Sequence, residues 1–208
     1  MTIASTSDAP GTSERRPGRP RSAEAERAIL DAALQELATS GVDGFSVEAV
    51  AARAGVGKTT IYRRWSNRDA LILDALSTLE AETQPRIKGI SVRDDLVLTL
   101  ETIQRRHKGS VHERLLPRVM AAAQSHPELM TGYQERVIER RREYVREILR
   151  RGVATGELRA DLDVELALMA VVFPMLYAVM MRTDPEPLPK DFAGQMVDLL
   201  MGGLGHED

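Results

Sequence analysis

Apolar residues in this chain recur every three to four positions rather than every second one, and that spacing constrains its fold more than any other feature. Ile29, Leu30, Ala33, Leu34 and Leu37 fall on one side of a helix, and Leu71, Ile72, Ala75, Leu76 and Leu79 repeat the pattern. β-Branched alternation is scarce, aromatic residues make up 4% of the chain, and Ala, Leu, Glu, Arg and Met dominate, so propensity agrees with period. The expectation is an all-α protein of about nine helices that needs no strand. At 208 residues the chain is longer than one average domain and short for two large ones, so a compact body with a small module suits it.

Punctuation residues divide the chain further. Ser22 is placed to cap a first helix, with Glu24 and Glu26 in its positively polarised first turn, and Gly41 to end it. Ser46 reads as the cap of a two-turn helix to about Arg53, with Phe45 before it and Val50 at its fourth position as a hydrophobic staple. Gly55 then permits a turn of positive φ, and a second short segment runs from about Gly57 to Trp65. Two short helices joined by a glycine-containing turn are a helix-turn-helix pattern. Ser66 and Asp69 match a capping pair for a fourth helix, which 84–89 interrupts. Later helices are expected over about 91–107, 111–125, 128–151 with Gly152 as stop, 163–181 and 190–201. The division is a disordered basic arm over 1–21, a helix-turn-helix domain over 22–68 and a larger helical domain over 69–208.

The formal net charge of -3 argues against a nucleic-acid partner until it is resolved along the chain. Residues 1–68 carry ten Lys and Arg against eight Asp and Glu, while the remainder carries eighteen against twenty-three. Between Ala49 and Arg68 there are five cations, Arg53, Lys58, Arg63, Arg64 and Arg68, and no acid. A cation cluster on a helix-turn-helix is the electrostatic footprint of DNA binding. Lys58, Thr59, Tyr62 and Arg63 share one face of the second short helix by their spacing, while Ile61 and Trp65 share the other. The first face suits phosphates and base edges, and the second suits a core.

The run FSVEAVAARAGVGKTTIYRRWSNRDAL, residues 45–71, resembles the DNA-binding domain of TetR-family transcriptional regulators, a likeness that covers about residues 24–75 with the first helix included. It has the hydroxyl cap (Ser46), the Ala54-Gly55-Val56 turn, the recognition-helix tyrosine (Tyr62), the aromatic after it (Trp65) and the basic residue opening the fourth helix (Arg68). The resemblance implies that Ser46, Tyr62 and Arg68 hold phosphates, with Lys58, Thr59, Thr60 and Arg63 or Arg64 facing the groove. It also implies a ligand-responsive regulator, most simply a repressor, that binds a palindromic operator as a homodimer and is not an enzyme.

The same residues admit two other readings. Gly57-Lys58-Thr59 ends like a phosphate-binding loop of a nucleotide-binding enzyme, but the first glycine of that motif falls on Ala52, inside a capped amphipathic helix. The second is a helical scaffold without DNA affinity. In the arm, RRPGRPR over 15–21 resembles an AT-hook core, whose Arg16, Arg19 and Arg21 would enter a narrow minor groove.

In the larger part, Leu166 to Met181 is sixteen residues without a formal charge, shorter than the roughly 20 a membrane span requires. A helix apolar all round needs burial on more than one side, one side in the core and another on a partner subunit. The resemblance implies dimerisation through the last two helices. Pro174 is expected to kink the first of these and open space; the resemblance implies a sensing domain, in which Met169, Phe173, Met175, Leu176, Tyr177 and Met180 line a site for a small hydrophobic effector, the alternative for each being plain core. Glu139, Glu143 and Glu147 are spaced to pair with Arg142, Arg146 and Arg151, which makes that basic run a solvated helix face. Cysteine is absent, and His107, His112, His126 and His206 show no paired ligand spacing, so no metal or cofactor is called for. The first residues hold no signal-peptide core, which points to a cytoplasmic protein without a membrane partner.

Overall fold

The computed structural model describes residues 20–83, 85, 87, 89–106, 111–180 and 188–203, and these are all-helical. The helices are α1 (Pro20–Ser40), α2 (Val47–Ala54), α3 (Lys58–Tyr62), α4 (Arg68–Thr83), α5 (Val92–Arg106), α6 (Val111–Ala121), α7 (Pro127–Tyr133), α8 (Glu139–Thr155), α9 (Val164–Met180) and α10 (Phe192–Gly202). A π-helical turn, Gln134–Ile138, joins α7 to α8 without a break, so the described residues form nine helical rods.

Two apolar cores organise them. The first gathers Ile29, Leu37, Val50, Ile61, Trp65, Leu71 and Ile72 from α1 to α4 with Leu115, Val119, Leu129, Tyr133 and Val137 from α6, α7 and the π turn. The second joins Val92, Leu96 and Leu100 of α5 to Ile148, Leu149, Leu168, Val171, Met175 and Val197 of α8 to α10. The staple residues Phe45 and Val50 are both buried. The small N-terminal module therefore does not stand alone: α4 belongs to its core, and α6 and α7 close that core from the other side.

Several boundaries differ from the sequence expectation. α1 begins at Pro20, not at Ser22, because proline's fixed φ suits the first helical turn. The cap of α4 is Asn67, whose Oδ1 accepts from the Ala70 amide at 2.8 Å, not Ser66. α3 ends at Tyr62 as a regular helix, after which the Arg64 and Trp65 amides both bond the Ile61 carbonyl, at 2.9 and 3.0 Å, in a tightened last turn. α6 ends at Ala121 rather than Ser125.

Gly152 is not a stop. It is buried within α8, where a Cβ would come within 2.6 Å of Val92 and 2.7 Å of Leu158, so it is a close-approach site for α5. The helix runs on to Thr155 and ends at Gly156, which has φ 77°.

Candidate nucleic-acid interface

Local chemistry builds the reading head. Ser46 has extended φ/ψ, and its Oγ accepts from the Ala49 amide at 3.2 Å, capping α2. Gly55 closes α2 at φ 66°, with its own amide bonded to Ala52 and the Val56 amide to Ala51, a doubly bonded left-handed stop. That turn sets α3 against α2 with Val56 packed on the core. The rear of α3 is fixed by Ile61 and Trp65, both buried, and the indole Nε1 donates to Asp74 of α4 at 2.8 Å. Its front is open: Lys58, Thr59, Tyr62 and Arg63 are exposed and Thr60 is half-buried. The buried and exposed faces of this segment are those its spacing predicts.

The cations divide by partner. Lys58 Nζ lies 2.8 Å from Glu48 on α2, and both side chains are exposed. The hydrogen bond to Lys58 holds the Glu48 carboxyl below its usual value and raises the Lys58 ammonium in return. Arg64 turns back to Glu26 of α1 at 3.5 Å, with its side chain 18% exposed, so of the adjacent arginines Arg63 is the one that faces outward. Arg68 donates to the Val42 carbonyl at 3.2 Å and to Asp69 at 3.3 Å, tying the start of α4 to the α1–α2 turn. Arg53 reaches the buried Glu36 of α1 at 3.8 Å. Arg16 and Arg19 lie outside the described residues, and Arg21 sits in the first turn of α1 with its side chain outside them. Glu48 lies just before the stretch whose cations mark the sequence, and its place two residues after a capping serine is the signal that sets it beside them.

The expected effector-lining residues share a face of α9, but that face points outward. Met169 is 44% exposed, Phe173 52% and Tyr177 70%, while Leu176 is half-buried and Met175 is fully buried on the opposite side. The side chain of Met180 is outside the described set. α9 continues through Pro174 as one helix. Exposed Leu166 extends the stripe, and Leu199, Leu200 and Met201 of α10 are exposed as well.

The basic run on α8 is more structural than a solvated face. Arg146 is buried beside Glu139, Glu143 and Glu165, Arg151 pairs with Asp95 of α5 rather than Glu147, and Arg141 pairs with Glu80 of α4. No cluster of His or acidic residues among the described residues could hold a metal, and no described helix is long and apolar enough to cross a membrane. Gly57-Lys58-Thr59 opens α3 with no strand before it among the described residues, and Ala52 lies within α2, so the phosphate-loop alternative is unsupported.

Comparison with known proteins agrees with this geometry. Residues 29–75 match the family model described as bacterial regulatory proteins, tetR family, and residues 89–200 match the tetracyclin repressor-like C-terminal domain. The chain is 34% identical over 168 residues to the uncharacterized HTH-type transcriptional regulator YdeS of Bacillus subtilis, covering 80% of this chain and 84% of that protein. It is 33% identical over 172 residues to the DNA-binding transcriptional repressor TetR of Mycobacteroides abscessus, covering 82% and 88%. Among solved structures, the TetR family transcription regulator SCO0332 superposes with a TM-score of 0.69 at 27% identity, over 88% of this chain and 100% of that one. FadR of Bacillus subtilis, solved with stearoyl-CoA, shares the fold at a TM-score of 0.61 and 20% identity, over 86% and 99%. The chain belongs to the TetR family of transcriptional regulators and is a helix-turn-helix DNA-binding protein, not an enzyme.

Proposed function

We propose that this regulator represses transcription as a homodimer on a palindromic operator and is released by a small apolar effector. The observation that carries the reading is the two-sided α3: Ile61 and Trp65 lock its rear, while Lys58, Thr59, Tyr62 and Arg63 are exposed in front. In this reading residues 22–68 form the head. Ser46, Tyr62 and Arg68 meet phosphates, and Lys58, Thr59, Thr60 and Arg63 address the groove. Arg64, turned toward Glu26, positions the head and leaves the groove to Arg63. Arg16, Arg19 and Arg21 supply a supplementary minor-groove contact.

The outward stripe of Leu166, Met169, Phe173 and Tyr177, with Leu199, Leu200 and Met201, is read as the seat of the second subunit, because so much exposed apolar surface is costly in water. Among the residues expected to line the effector site and described here, Leu176 is the half-buried one and keeps that role. An effector acts only through unequal affinity for the DNA-competent and incompetent states, and α4, shared by the head core and the body, is the lever. The test is to select bound fragments from random DNA, weigh the complex, and repeat with apolar ligands. An asymmetric site, a monomeric complex, or the absence of any salt-dependent binding would sink the reading.

A further inference from the structure

Glu48 brings a carboxylate to the reading face. Glu48 Oε1 accepts from Lys58 at 2.8 Å, and Glu48 Oε2 accepts from Ser46 Oγ at 3.2 Å. A single carboxylate thus engages two side chains assigned to DNA, one from the cap of α2 and one from the first turn of α3. The carboxylate and the ammonium are 61% and 55% exposed, so their bond is weak enough in water to be exchanged for another acceptor. The carboxylate stays behind when Lys58 leaves, and against a phosphate backbone it is a like charge that the docked complex must accommodate. In the major groove it can instead accept from an exocyclic amino group, as acidic side chains do from cytosine N4.

We propose that Glu48 is a specificity-determining residue, holding Lys58 and Ser46 back from random-sequence DNA and yielding them only where the DNA offers its carboxylate a donor. The proposal rests on the DNA-reading assignment of α3. Specificity here comes from a built-in penalty for wrong sequences as well as from attraction to the right one.

The test uses the full-length protein, a duplex selected by the wild type from random DNA, and a random-sequence duplex, each titrated across a salt series. Glu48→Gln is expected to bind the random duplex at least about threefold more tightly, with the salt slope steeper by about one as Lys58 gains a phosphate. The ratio of selected to random affinity falls accordingly. Adding Lys58→Ala to Glu48→Gln removes the gained slope. Unchanged random-duplex affinity or slope in Glu48→Gln, or a gain that survives Lys58→Ala, overturns the proposal while leaving the DNA-reading assignment intact. A wild type with no salt-dependent binding overturns that assignment first, and the proposal with it.

Discussion

The guanidinium of Arg141 on α8 is hydrogen-bonded to the carboxylate of Glu80 on α4, which is 5% exposed. Beside them lies the buried ring of Tyr133 at the end of α7, its phenol pushed above the usual range by burial. The pair joins the last turns of the lever helix to the long rod that ends in the second core. A charge pair so placed responds strongly to the loss of either partner, since the remaining ion keeps its burial and loses the close opposite charge. Arg141→Ala is expected to cost about 2–4 kcal/mol in denaturant unfolding, below the fully buried limit because the guanidinium side chain is 31% exposed. A loss under 0.5 kcal/mol would show that the pair does not hold α4 to α8.

On the reading face, Arg63→Ala should weaken binding to a selected operator by about 1–3 kcal/mol, and Tyr62→Phe by about 1 kcal/mol. Neither should alter thermal stability or dimer mass, because both side chains are exposed and the core face of α3 belongs to Ile61 and Trp65. Titration at fixed salt with sedimentation of the free protein checks both halves. Wild-type affinity in both variants would reject the face assignment.

The turn offers a purely conformational test. Gly55 sits at φ 66° with nothing within 4 Å of where a Cβ would stand, so Gly55→Ala meets no clash and probes backbone strain alone. The expected cost is about 1–2 kcal/mol. Gly152→Ala probes the opposite case, an ordinary helical backbone with no room, and overpacking against Val92 and Leu158 should cost about 1–3 kcal/mol. Equilibrium denaturation of the two variants checks the assignments, and a neutral Gly152→Ala would show that α5 does not bear closely on α8.

For the outer face of α9, Phe173→Glu should leave the monomer fold intact, since Phe173 is 52% exposed in the single chain. A charge at the centre of a subunit interface disfavours association strongly. Sedimentation should then report monomer, with operator affinity reduced as the second half-site contact is lost. An unchanged dimer would move the partner seat elsewhere.

Glu165 gives the acid-side prediction. Its hydrogen bond to Arg146 depresses the carboxyl below its usual 4.5, so its contribution is complete above pH 4.5 and fades as pH falls through the lowered value. The melting-temperature difference between wild type and Glu165→Gln should be constant from neutrality to about pH 4.5 and shrink below it. A difference that grew on acidification would contradict the pairing.

What the chain announces by itself is local: the 3.6-residue period, the Ser46 cap, the left-handed Gly55, and the split of α3 into the Ile61–Trp65 side and the Lys58–Tyr62 side. These depend on backbone hydrogen bonds within a few residues, and they sufficed to reveal the helix-turn-helix and its family. Tertiary structure alone decided which of Arg63 and Arg64 faces out, because a long flexible side chain goes where its counter-ion is, and Glu26 lies more than thirty positions away in the chain. It also decided the role of Gly152, set by Val92 from another helix, and the direction of the Phe173 face, because a uniformly apolar helix carries no phase of its own. The neighbours that cover one side, here Leu96, Ile148 and Val197, leave the other exposed.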